Sequence, residues 1–470
     1  MVVGELAHER DLIIIGGGPG GYHAAIRAAQ LGQSVTLIEK EKLGGICLNK
    51  GCIPSKIFTN VAEKLLEMKG FGDIGIESQE VTLNFSKLQN HKNKTIESLR
   101  AGVEALCKTN NVEIIIGTAS FLSTDRIGVE NGEQYDVYRF QHAIIAAGGI
   151  PSIPNNVHID HERILNPWSV TTLNSIPEQL LIYGNDYIAL EMAFAFHAFR
   201  SRITLILEEE DFKFDQSINR ELKRILKKKG LKVISGSRIR KADLEGENVK
   251  ILLENQHGTE ELVGTHLFVS STIIPNIATL GLQRIGIEMT DTGFIKVDKH
   301  CRTSIHNIYA IGDITEGPSL AVKAIKQGKT AAEAIAGIPT EVDLRFIPII
   351  AQTTPPIATV GLTEQAAVEL GFDVQIGQIP LSSNGFAAIH GKKEGIIKVI
   401  FDKESYRLLG MHMIGHGAIE LISSGILSLE MISRDEDLRF PFYPHPSMNE
   451  SLLEAVEAIN NQAIHLIATK

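Results

Sequence analysis

The chain has 470 residues, which is too long for one ordinary hydrophobic core, so we expect two to four domains. Hydrophobic residues make up 43% and charged residues 22%, with 42 glycines, which is typical of a globular protein. The formal net charge of −10 argues against nucleic acid or an anionic membrane surface as the main partner, because both bind basic patches.

No apolar stretch approaches the roughly 18 to 20 residues that a membrane helix needs. The segment from Met1 to Arg10 carries acidic residues and lacks the apolar core of a signal peptide, so we expect a cytoplasmic protein. Of the four cysteines, Cys107 and Cys301 have the character of small buried hydrophobic residues, and we expect no metal site.

The first elements of the chain form a complete β-α-β unit. An apolar strand, a glycine-rich turn, a helix and a second apolar strand follow one another at residues 11–15, 16–21, 22–31 and 34–38. Gly16 permits the tight turn, Gly18 lets a pyrophosphate approach the backbone, and Gly21 lets the helix pack closely on the strand. The helix N-terminus then faces the phosphates, and Glu39 can bind a ribose hydroxyl. This unit predicts a dinucleotide-binding domain.

Cys47 and Cys52 follow this unit, five residues apart. On a regular helix their Cα atoms would lie beyond the roughly 7 Å that a disulfide allows, so we expect a distorted segment, which Gly51 makes easier. A disulfide that closes so small a loop adds little to stability, and no further Cys or His ligand follows for a metal. The pair is best interpreted as redox-active.

A second copy of the unit appears when 168 is added to each residue number. Gly16 corresponds to Gly184, but Gly18 is replaced by Asp186 and Glu39 by Leu207, while Gly21 and Gly32 become Ala189 and Arg200. A carboxylate within about 4 Å of a phosphate would cost about 4 kcal/mol, or about three decades in affinity. Alternatively, Asp186 turns outward to solvent and the nucleotide still binds. Glu208 is next to the lost acid but points to the other face of the strand.

With these features the chain resembles the pyridine nucleotide-disulfide oxidoreductase family over nearly all of its length, and within it most of all the dihydrolipoamide dehydrogenases. The specific signature is Gly-Gly-x-Cys-Leu-Asn-x-Gly-Cys-Ile-Pro-Ser-Lys, at residues 44–56. The resemblance implies an α/β fold with two Rossmann-like dinucleotide-binding domains and a C-terminal α+β dimerisation domain. It also implies FAD and NAD as cofactors.

Further positions for FAD follow from this resemblance. Residues 303–313 resemble the second flavin motif, in which Asp313 would bind the ribityl chain, and residues 146–149 resemble the segment that closes the flavin domain. Lys56 should lie near the flavin ring and pair with Glu191. The other flavin contacts that we expect are Lys40, Gly45, Ala119, Ala147, Gly148 and Ala321.

The run from His445 to Glu450 resembles the catalytic end motif of the family. An imidazole titrates near neutrality and can take up and return a thiol proton, with Glu450 fixing its tautomer. In the family this histidine reaches the disulfide of the other subunit, which implies a homodimer.

Positions on the nicotinamide side depart from the family pattern. Gly184 and Leu207 fall at expected NAD contacts, but Thr272 and Ile273 stand where glycine and arginine are usual. Tyr443 and Pro444 replace a His-Ala pair, and Phe386 replaces an arginine. The flavin and disulfide parts match the family, whereas the nicotinamide parts do not.

We therefore expect an FAD-binding domain at 1–150, an NAD(P)-binding type of domain at 151–276, a central segment at 277–344 that returns to the flavin, and an interface domain at 345–470. The predicted reaction is oxidation of dihydrolipoamide, on a lipoylated carrier protein or as a small dithiol, with electrons passing from the cysteine pair to FAD and then to NAD. Two alternatives remain: a dithiol oxidoreductase with weak or lost NAD(H) use, and a non-enzymatic flavoprotein subunit or sensor.

Overall fold

The computed structural model describes residues 7–77 and 81–466, which form an α/β protein with two largely parallel sheets, one five-stranded antiparallel sheet and two smaller antiparallel sheets. The first six residues, part of the segment in which we predict no signal peptide, lie outside the described residues. No helix in the described ranges combines the length and the hydropathy needed to cross a membrane.

The first nucleotide-binding unit is built around its first strand. Its elements are β1 (Ala7–Ile15), α1 (Pro19–Gln30), β2 (Val35–Glu39), α2 (Gly45–Asn49), α3 (Cys52–Lys69), α4 (Phe85–Thr109), β3 (Glu113–Ile116), β4 (Thr118–Ser123), β5 (Arg126–Asn131) and β6 (Gln134–Ile145). Strand β1 lies between β2 and β6 and pairs in parallel with both, and β3 extends the sheet beside β2. Because parallel strands flank it and helices cover it, β1 ends in four buried apolar residues.

The second unit repeats this arrangement. Its elements are β7 (Gly149–Pro151), β8 (Ile164–Leu165), β9 (Gln179–Tyr183), α5 (Tyr187–Ala198), β10 (Arg202–Ile206), α6 (Gln216–Lys229), β11 (Lys232–Ile234), β12 (Arg238–Glu245), β13 (Asn248–Asn255), β14 (Gly258–Gly264), β15 (His266–Val269) and β16 (Ile273–Pro275). Its parallel sheet has the order β11-β10-β9-β15-β8. Helices α1 and α5 begin and end 168 residues apart, which confirms the predicted repeat.

After the second unit the chain returns to the first sheet. Strand β17 (Ile308–Ala310) pairs in parallel with the end of β6, and α7 (Ala321–Ile335) packs against α1. This contact is close, because a Cβ atom on Gly328 would lie 2.4 Å from the Gly20 carbonyl oxygen. The carboxyl ends of β1, β6 and β17 therefore meet at the edge of the sheet where the glycine-rich turn lies.

The C-terminal region forms an antiparallel sheet of the order β18-β19-β22-β21-β20, with helices packed on it. Its elements are β18 (Ile349–Ala351), β19 (Ile357–Gly361), α8 (Glu364–Glu369), β20 (Val374–Pro380), α9 (Gly385–Ile389), β21 (Gly395–Asp402), β22 (Leu408–Gly415), α10 (Ala418–Glu430), α11 (Asp435–Arg439) and α12 (Asn449–Ala458). The predicted fold class is confirmed. The domain boundaries stay a prediction; β7 and β16, which pair with each other, lie at two of them.

Candidate active site

The predicted disulfide between Cys47 and Cys52 is present, with the two Cα atoms 4.6 Å apart. Cys47 lies in α2, and Cys52 is the first residue of α3. The helical path breaks between Asn49 and Cys52, where Gly51 precedes α3. The predicted distortion is confirmed, and it places the Cys52 sulfur at the N-terminus of an 18-residue helix.

The first glycine-rich turn has the geometry that its sequence predicts. Gly16 has a φ of +104°, and a Cβ atom there would lie 2.3 Å from the Ala146 carbonyl oxygen. A Cβ atom on Gly21 would lie 1.8 Å from the Gly16 carbonyl oxygen, so only glycine allows α1 to approach the strand this closely. Gly18 supplies no side-chain cap to α1, and the first backbone N–H groups of this helix have no side-chain acceptor.

Glu39 ends β2 beside this turn. One of its carboxylate oxygens accepts a hydrogen bond from the Gly17 N–H at 2.7 Å, and the other accepts one from the Glu41 N–H at 2.8 Å. The carboxylate is therefore held at the edge of the turn by the backbone, where each oxygen keeps a further lone pair for another donor.

A cavity of about 1050 Å³ joins the glycine-rich turn to the disulfide. Most of the residues predicted to contact the flavin line it: Gly16, Gly18, Glu39, Lys40, Gly45, Lys56, Ala119, Ala147, Gly148, Asp313 and Ala321, together with Cys47 and Cys52. Its size is at the upper end of the range for cofactor sites. An uncapped helix N-terminus at one end and a half-buried disulfide at the other fit a long anionic redox cofactor such as FAD.

Two other predicted contacts act from outside the cavity wall. Gly21 packs between α1 and the turn, as described above. Glu191 lies behind Lys56, whose ammonium group is 2.6 and 2.8 Å from the two carboxylate oxygens. The predicted pair is present, and the Gln352 N–H donates a further hydrogen bond of 2.8 Å to the same carboxylate.

Asp313 lies in a one-turn 3-10 helix, Gly312–Ile314, directly after β17. Gly312 has a φ of +75° and donates its N–H to the Gln327 side-chain oxygen at 2.8 Å. Burial raises the pKa of the Asp313 carboxyl, and the Lys323 ammonium partly offsets this. Asp313 is therefore held at the cavity wall by its backbone, with its carboxyl available to hydrogen-bond a hydroxyl.

Sequence reasoning missed two aromatic residues of the cavity, Tyr187 and Trp168. Tyr187 stands four residues before Glu191 on α5, so its helical spacing could have placed it on the face that turns toward Lys56. The Lys56 ammonium lies 5.8 Å from the centre of the Tyr187 ring. Trp168 lies in a loop, where no periodic signal marks it; the Lys50 ammonium lies 5.2 Å from the centre of its ring.

His445 and Glu450 are joined to each other but do not line the cavity. The His445 Nδ1 atom is 2.7 Å from a Glu450 carboxylate oxygen, and the Ser447 N–H donates to the other oxygen at 2.8 Å. These hydrogen bonds outweigh the effect of burial and lower the pKa of Glu450. The His445 side chain is 82% exposed, so its Nε2 atom is open to a second molecule.

The second unit differs from the first at its phosphate turn. Asp186 does not turn outward to solvent, so that expectation is wrong. Its carboxylate caps α5 by accepting a hydrogen bond of 2.8 Å from the Ala189 N–H, and the Ser270 hydroxyl lies 2.9 and 2.7 Å from its two oxygens. The side chain stays inward because the Ala189 N–H, which has no acceptor within the helix, and the Ser270 hydroxyl bind it more strongly than water does. Burial raises the pKa of this carboxyl.

The other positions that we expected on the nicotinamide side lie in different parts of the structure. Gly184 has a φ of +147°, as the turn requires, whereas Leu207 is fully buried. Ile273 lines the cavity from β16, and the Thr272 carbonyl accepts a hydrogen bond from Ser152. Phe386 packs in the C-terminal core, and the Tyr443 hydroxyl donates to the Leu438 carbonyl. In the described ranges no three His, Cys, Asp or Glu side chains form a group that could hold a metal.

Comparison with known proteins agrees with this geometry. Residues 10–328 match the family model described as pyridine nucleotide-disulphide oxidoreductase, and residues 347–456 match the dimerisation domain of the same family. The chain is 38% identical to dihydrolipoyl dehydrogenase of Geobacillus stearothermophilus over 469 residues, covering 99% of this chain and 100% of the relative. It is 34% identical to the mitochondrial dihydrolipoyl dehydrogenase of Pisum sativum, covering 97% and 93% of the two chains.

Solved structures share the fold over nearly the whole chain. The crystal structure of LpdA from Mycobacterium tuberculosis superposes with a TM-score of 0.89 at 23% identity, covering 95% of this chain and 99% of that one. The flavoprotein disulfide reductase RclA from Escherichia coli, solved as a Cu(II) complex, superposes with a TM-score of 0.86 at 25% identity, covering 96% and 99%. The matches to the family models and to the dihydrolipoyl dehydrogenases confirm the expected enzyme class and the family cofactors, FAD and NAD, and the dimerisation domain supports a homodimer. The chain belongs to the pyridine nucleotide-disulphide oxidoreductase family.

Proposed function

We propose that the protein is an FAD-dependent dithiol oxidoreductase of the dihydrolipoyl dehydrogenase type. The observation that carries the proposal is the Cys47–Cys52 disulfide on the wall of a cavity that also holds the glycine-rich turn and Glu39. The proposed substrate is dihydrolipoamide, either on a lipoylated carrier protein or as a small dithiol, and the proposed location is the cytoplasm. The relatives named dihydrolipoyl dehydrogenase, which match over almost their whole length, support this assignment.

Helix α3 gives the two cysteines different roles. Cys52 is the first residue of α3, and the partial positive charge of a helix N-terminus favours a thiolate there. In disulfide exchange the sulfur whose thiol has the lower pKa leaves faster. A substrate thiolate should therefore attack the Cys47 sulfur and release Cys52 as a thiolate, which makes Cys47 the interchange residue.

The exchange balances with the residues at hand. The first substrate thiolate forms a mixed disulfide with Cys47 as the Cys47–Cys52 bond breaks. The second substrate thiol then displaces Cys47, so that the substrate leaves as a disulfide and the pair holds two electrons. His445 of the second subunit takes up a thiol proton, and Glu450 keeps its Nδ1 atom protonated and its Nε2 atom free to act as the base. The glycine-rich turn, Glu39 and Asp313 would hold FAD in the cavity, where it would supply a two-electron acceptor for the reduced pair.

An anaerobic titration of the FAD-loaded protein with dihydrolipoamide tests this function. We expect the flavin absorbance to fall and a long-wavelength band between the Cys52 thiolate and the flavin to appear. Cys47→Ser should abolish reduction by the dithiol. Cys107→Ala, which removes a buried thiol that does not line the cavity, serves as the matched control and should leave reduction intact. A wild-type flavin that dihydrolipoamide does not reduce would rule out the proposed function.

A second candidate keeps the dithiol chemistry but uses NAD(H) weakly and passes electrons to another acceptor. The observation in its favour is the capping position of Asp186, at the turn where a nucleotide phosphate would bind. Titration with NADH distinguishes the two candidates, because the first predicts that saturating NADH reduces the flavin, whereas the second predicts little reduction at any NADH concentration.

A further inference from the structure

The two nucleotide-binding units of this chain differ at the first turn of their helices. In α1 the residue before the helix is Gly18, which offers no side-chain cap, so the backbone N–H groups of the first turn can receive a phosphate. In α5 the same position is Asp186, and its carboxylate already accepts the Ala189 N–H. The helix N-terminus of the first unit can therefore bind a phosphate, whereas that of the second unit already binds the Asp186 carboxylate.

We infer that the Asp186 carboxylate occupies the pyrophosphate position of the second unit, so that a pyridine nucleotide binds only after this carboxylate is displaced. The inference rests on the proposed function, since it concerns the second nucleotide of the same reaction. The sequence allowed two interpretations of Asp186: a side chain turned to solvent, or an unpaired carboxylate that repels the phosphate. The structure differs from both, because the carboxylate is hydrogen-bonded at the turn.

Ser270 fixes the carboxylate in this position. It follows β15, where its N–H donates to the Tyr183 carbonyl at 2.8 Å, and its hydroxyl lies within 2.9 Å of both Asp186 oxygens. A Cβ atom on Gly184 would lie 2.8 Å from the Ser270 Cβ atom, so the turn and Ser270 are in direct contact. Displacing Asp186 breaks its hydrogen bonds to the Ala189 N–H and to the Ser270 hydroxyl. These two donors must then form hydrogen bonds with the nucleotide phosphate instead.

The ribose end of the second unit also lacks the acid that the first unit has. Leu207 stands at the position of Glu39 and is fully buried, so it offers no acceptor to a ribose. Glu208 points away from that position, since it accepts a hydrogen bond of 2.8 Å from the Tyr183 hydroxyl and lies 3.3 Å from the Arg238 guanidinium group. Glu208, which follows Leu207 in the sequence, therefore does not replace Glu39 at the ribose position.

We expect the wild type to bind a pyridine nucleotide weakly and removal of the Asp186 carboxylate to raise this affinity. When only a fraction of the molecules has the competent arrangement, the apparent affinity falls by that fraction. Loss of an N-cap hydrogen bond alone corresponds to about a tenfold change, or about 1.4 kcal/mol. The repulsion between a retained carboxylate and a diphosphate adds to this, so we expect at least a tenfold gain when Asp186 is removed.

Calorimetric titration of the oxidised, FAD-loaded dimer with NAD⁺ tests the inference without turnover. Asp186→Gly should bind NAD⁺ at least tenfold more tightly than the wild type. Asp186→Asn, which keeps a capping side chain but removes the charge and so maintains the fold of α5, should recover part of this gain. Asn84→Gly is the matched control, because Asn84 caps α4 through the Lys87 N–H. Its neighbour Phe85 packs near Phe199, at the end of α5 opposite to Asp186. The affinity of this variant for NAD⁺ should equal that of the wild type.

Equal NAD⁺ affinities for the wild type and both Asp186 variants would overturn the inference. A gain of the same size in Asn84→Gly would also overturn it, because the effect would then be a general consequence of losing a cap. The proposed function is judged separately by the reduction of the wild-type flavin with dihydrolipoamide. If dihydrolipoamide did not reduce the flavin, the proposed function would fail. The inference about Asp186 would still be decided by the NAD⁺ affinities of the wild type and the variants.

Discussion

The Glu191 carboxylate connects three parts of the protein. Its side chain is 1% exposed, and it pairs with Lys56 on the helix that carries Cys52. It also accepts the backbone N–H of Gln352, which follows the first strand of the C-terminal sheet. Burying a charge this deeply is costly unless it is paired and hydrogen-bonded, so the Lys56 ammonium is what keeps this junction intact.

Replacing Lys56 with methionine should lower the free energy of unfolding by about 3 to 5 kcal/mol, because it leaves a buried carboxylate without its counter-charge. Adding Glu191→Gln to that variant should recover part of the loss. Lys50→Met is the matched control, since the Lys50–Glu41 pair is exposed and should contribute less than about 1 kcal/mol. Urea unfolding followed by circular dichroism measures all four proteins. Equal losses for Lys56→Met and Lys50→Met would contradict the argument.

At the scale of elements, the sequence predicted what depends on local pattern. The offset of 168 residues placed α5 correctly, and the spacing of Cys47 and Cys52 predicted the break before α3. The cap formed by Asp186 could not be predicted, because its second partner, Ser270, lies 84 residues further along the chain. Contacts of this length leave no periodic signal, and only the folded chain brings them together.

A buried cluster between the second unit and the C-terminal sheet illustrates the same limit. The Lys398 ammonium on β21 lies 2.8 Å from the Asp215 carboxylate that caps α6 and 2.6 Å from Glu364 at the start of α8. His412 on β22 lies fully buried beside them, with its Nε2 atom 2.9 Å from the Leu362 carbonyl oxygen. No motif marks these residues, yet together they hold α6 against the C-terminal sheet.

This cluster predicts a pH dependence of stability. Burial lowers the pKa of His412, although the Leu362 carbonyl partly offsets this, so the folded protein keeps the ring neutral when the unfolded chain already binds a proton. The free energy of unfolding should therefore fall as pH drops below about 6.5, by up to about 1.4 kcal/mol per pH unit for this one group. Burial by itself would raise the pKa of Asp215, but the hydrogen bonds from Lys398 and from the Glu364 and Ser217 N–H groups together lower it. That carboxylate therefore stays ionised over the same range.

His412→Gln should make the stability less dependent on pH, because glutamine can still donate to the Leu362 carbonyl but does not titrate. Urea unfolding of the wild type and the variant at pH 7.5, 6.5 and 5.5 measures the difference in slope. Other histidines contribute equally to both proteins, so the difference between them isolates His412. Identical slopes would mean that His412 takes up its proton as readily in the folded state as in the unfolded chain.

At the scale of the whole molecule, the proposed active site is not complete within one chain. The disulfide lines the cavity, whereas His445 and Glu450 lie on the C-terminal region with the histidine side chain 82% exposed. Large apolar side chains near them are also exposed, Phe440 by 92% of its area and Phe442 fully. Monomers rarely leave such groups uncovered, and the family dimerisation domain spans this region, so a second subunit should cover them and present its His445 to Cys47.

Mixed dimers test whether the histidine acts across the subunit interface. Cys47→Ser and His445→Gln should each be inactive with dihydrolipoamide, but random mixing by co-expression makes about half of the dimers mixed. In a mixed dimer, the intact Cys47 of one subunit faces the intact His445 of the other, so one site in two is restored and activity should return to about one quarter of the wild type. If cysteine and histidine acted within one chain, every subunit would lack one of the two groups and no activity would return. The homodimers of each variant give the baseline activity. Mixed dimers whose activity does not exceed this baseline would exclude catalysis between subunits.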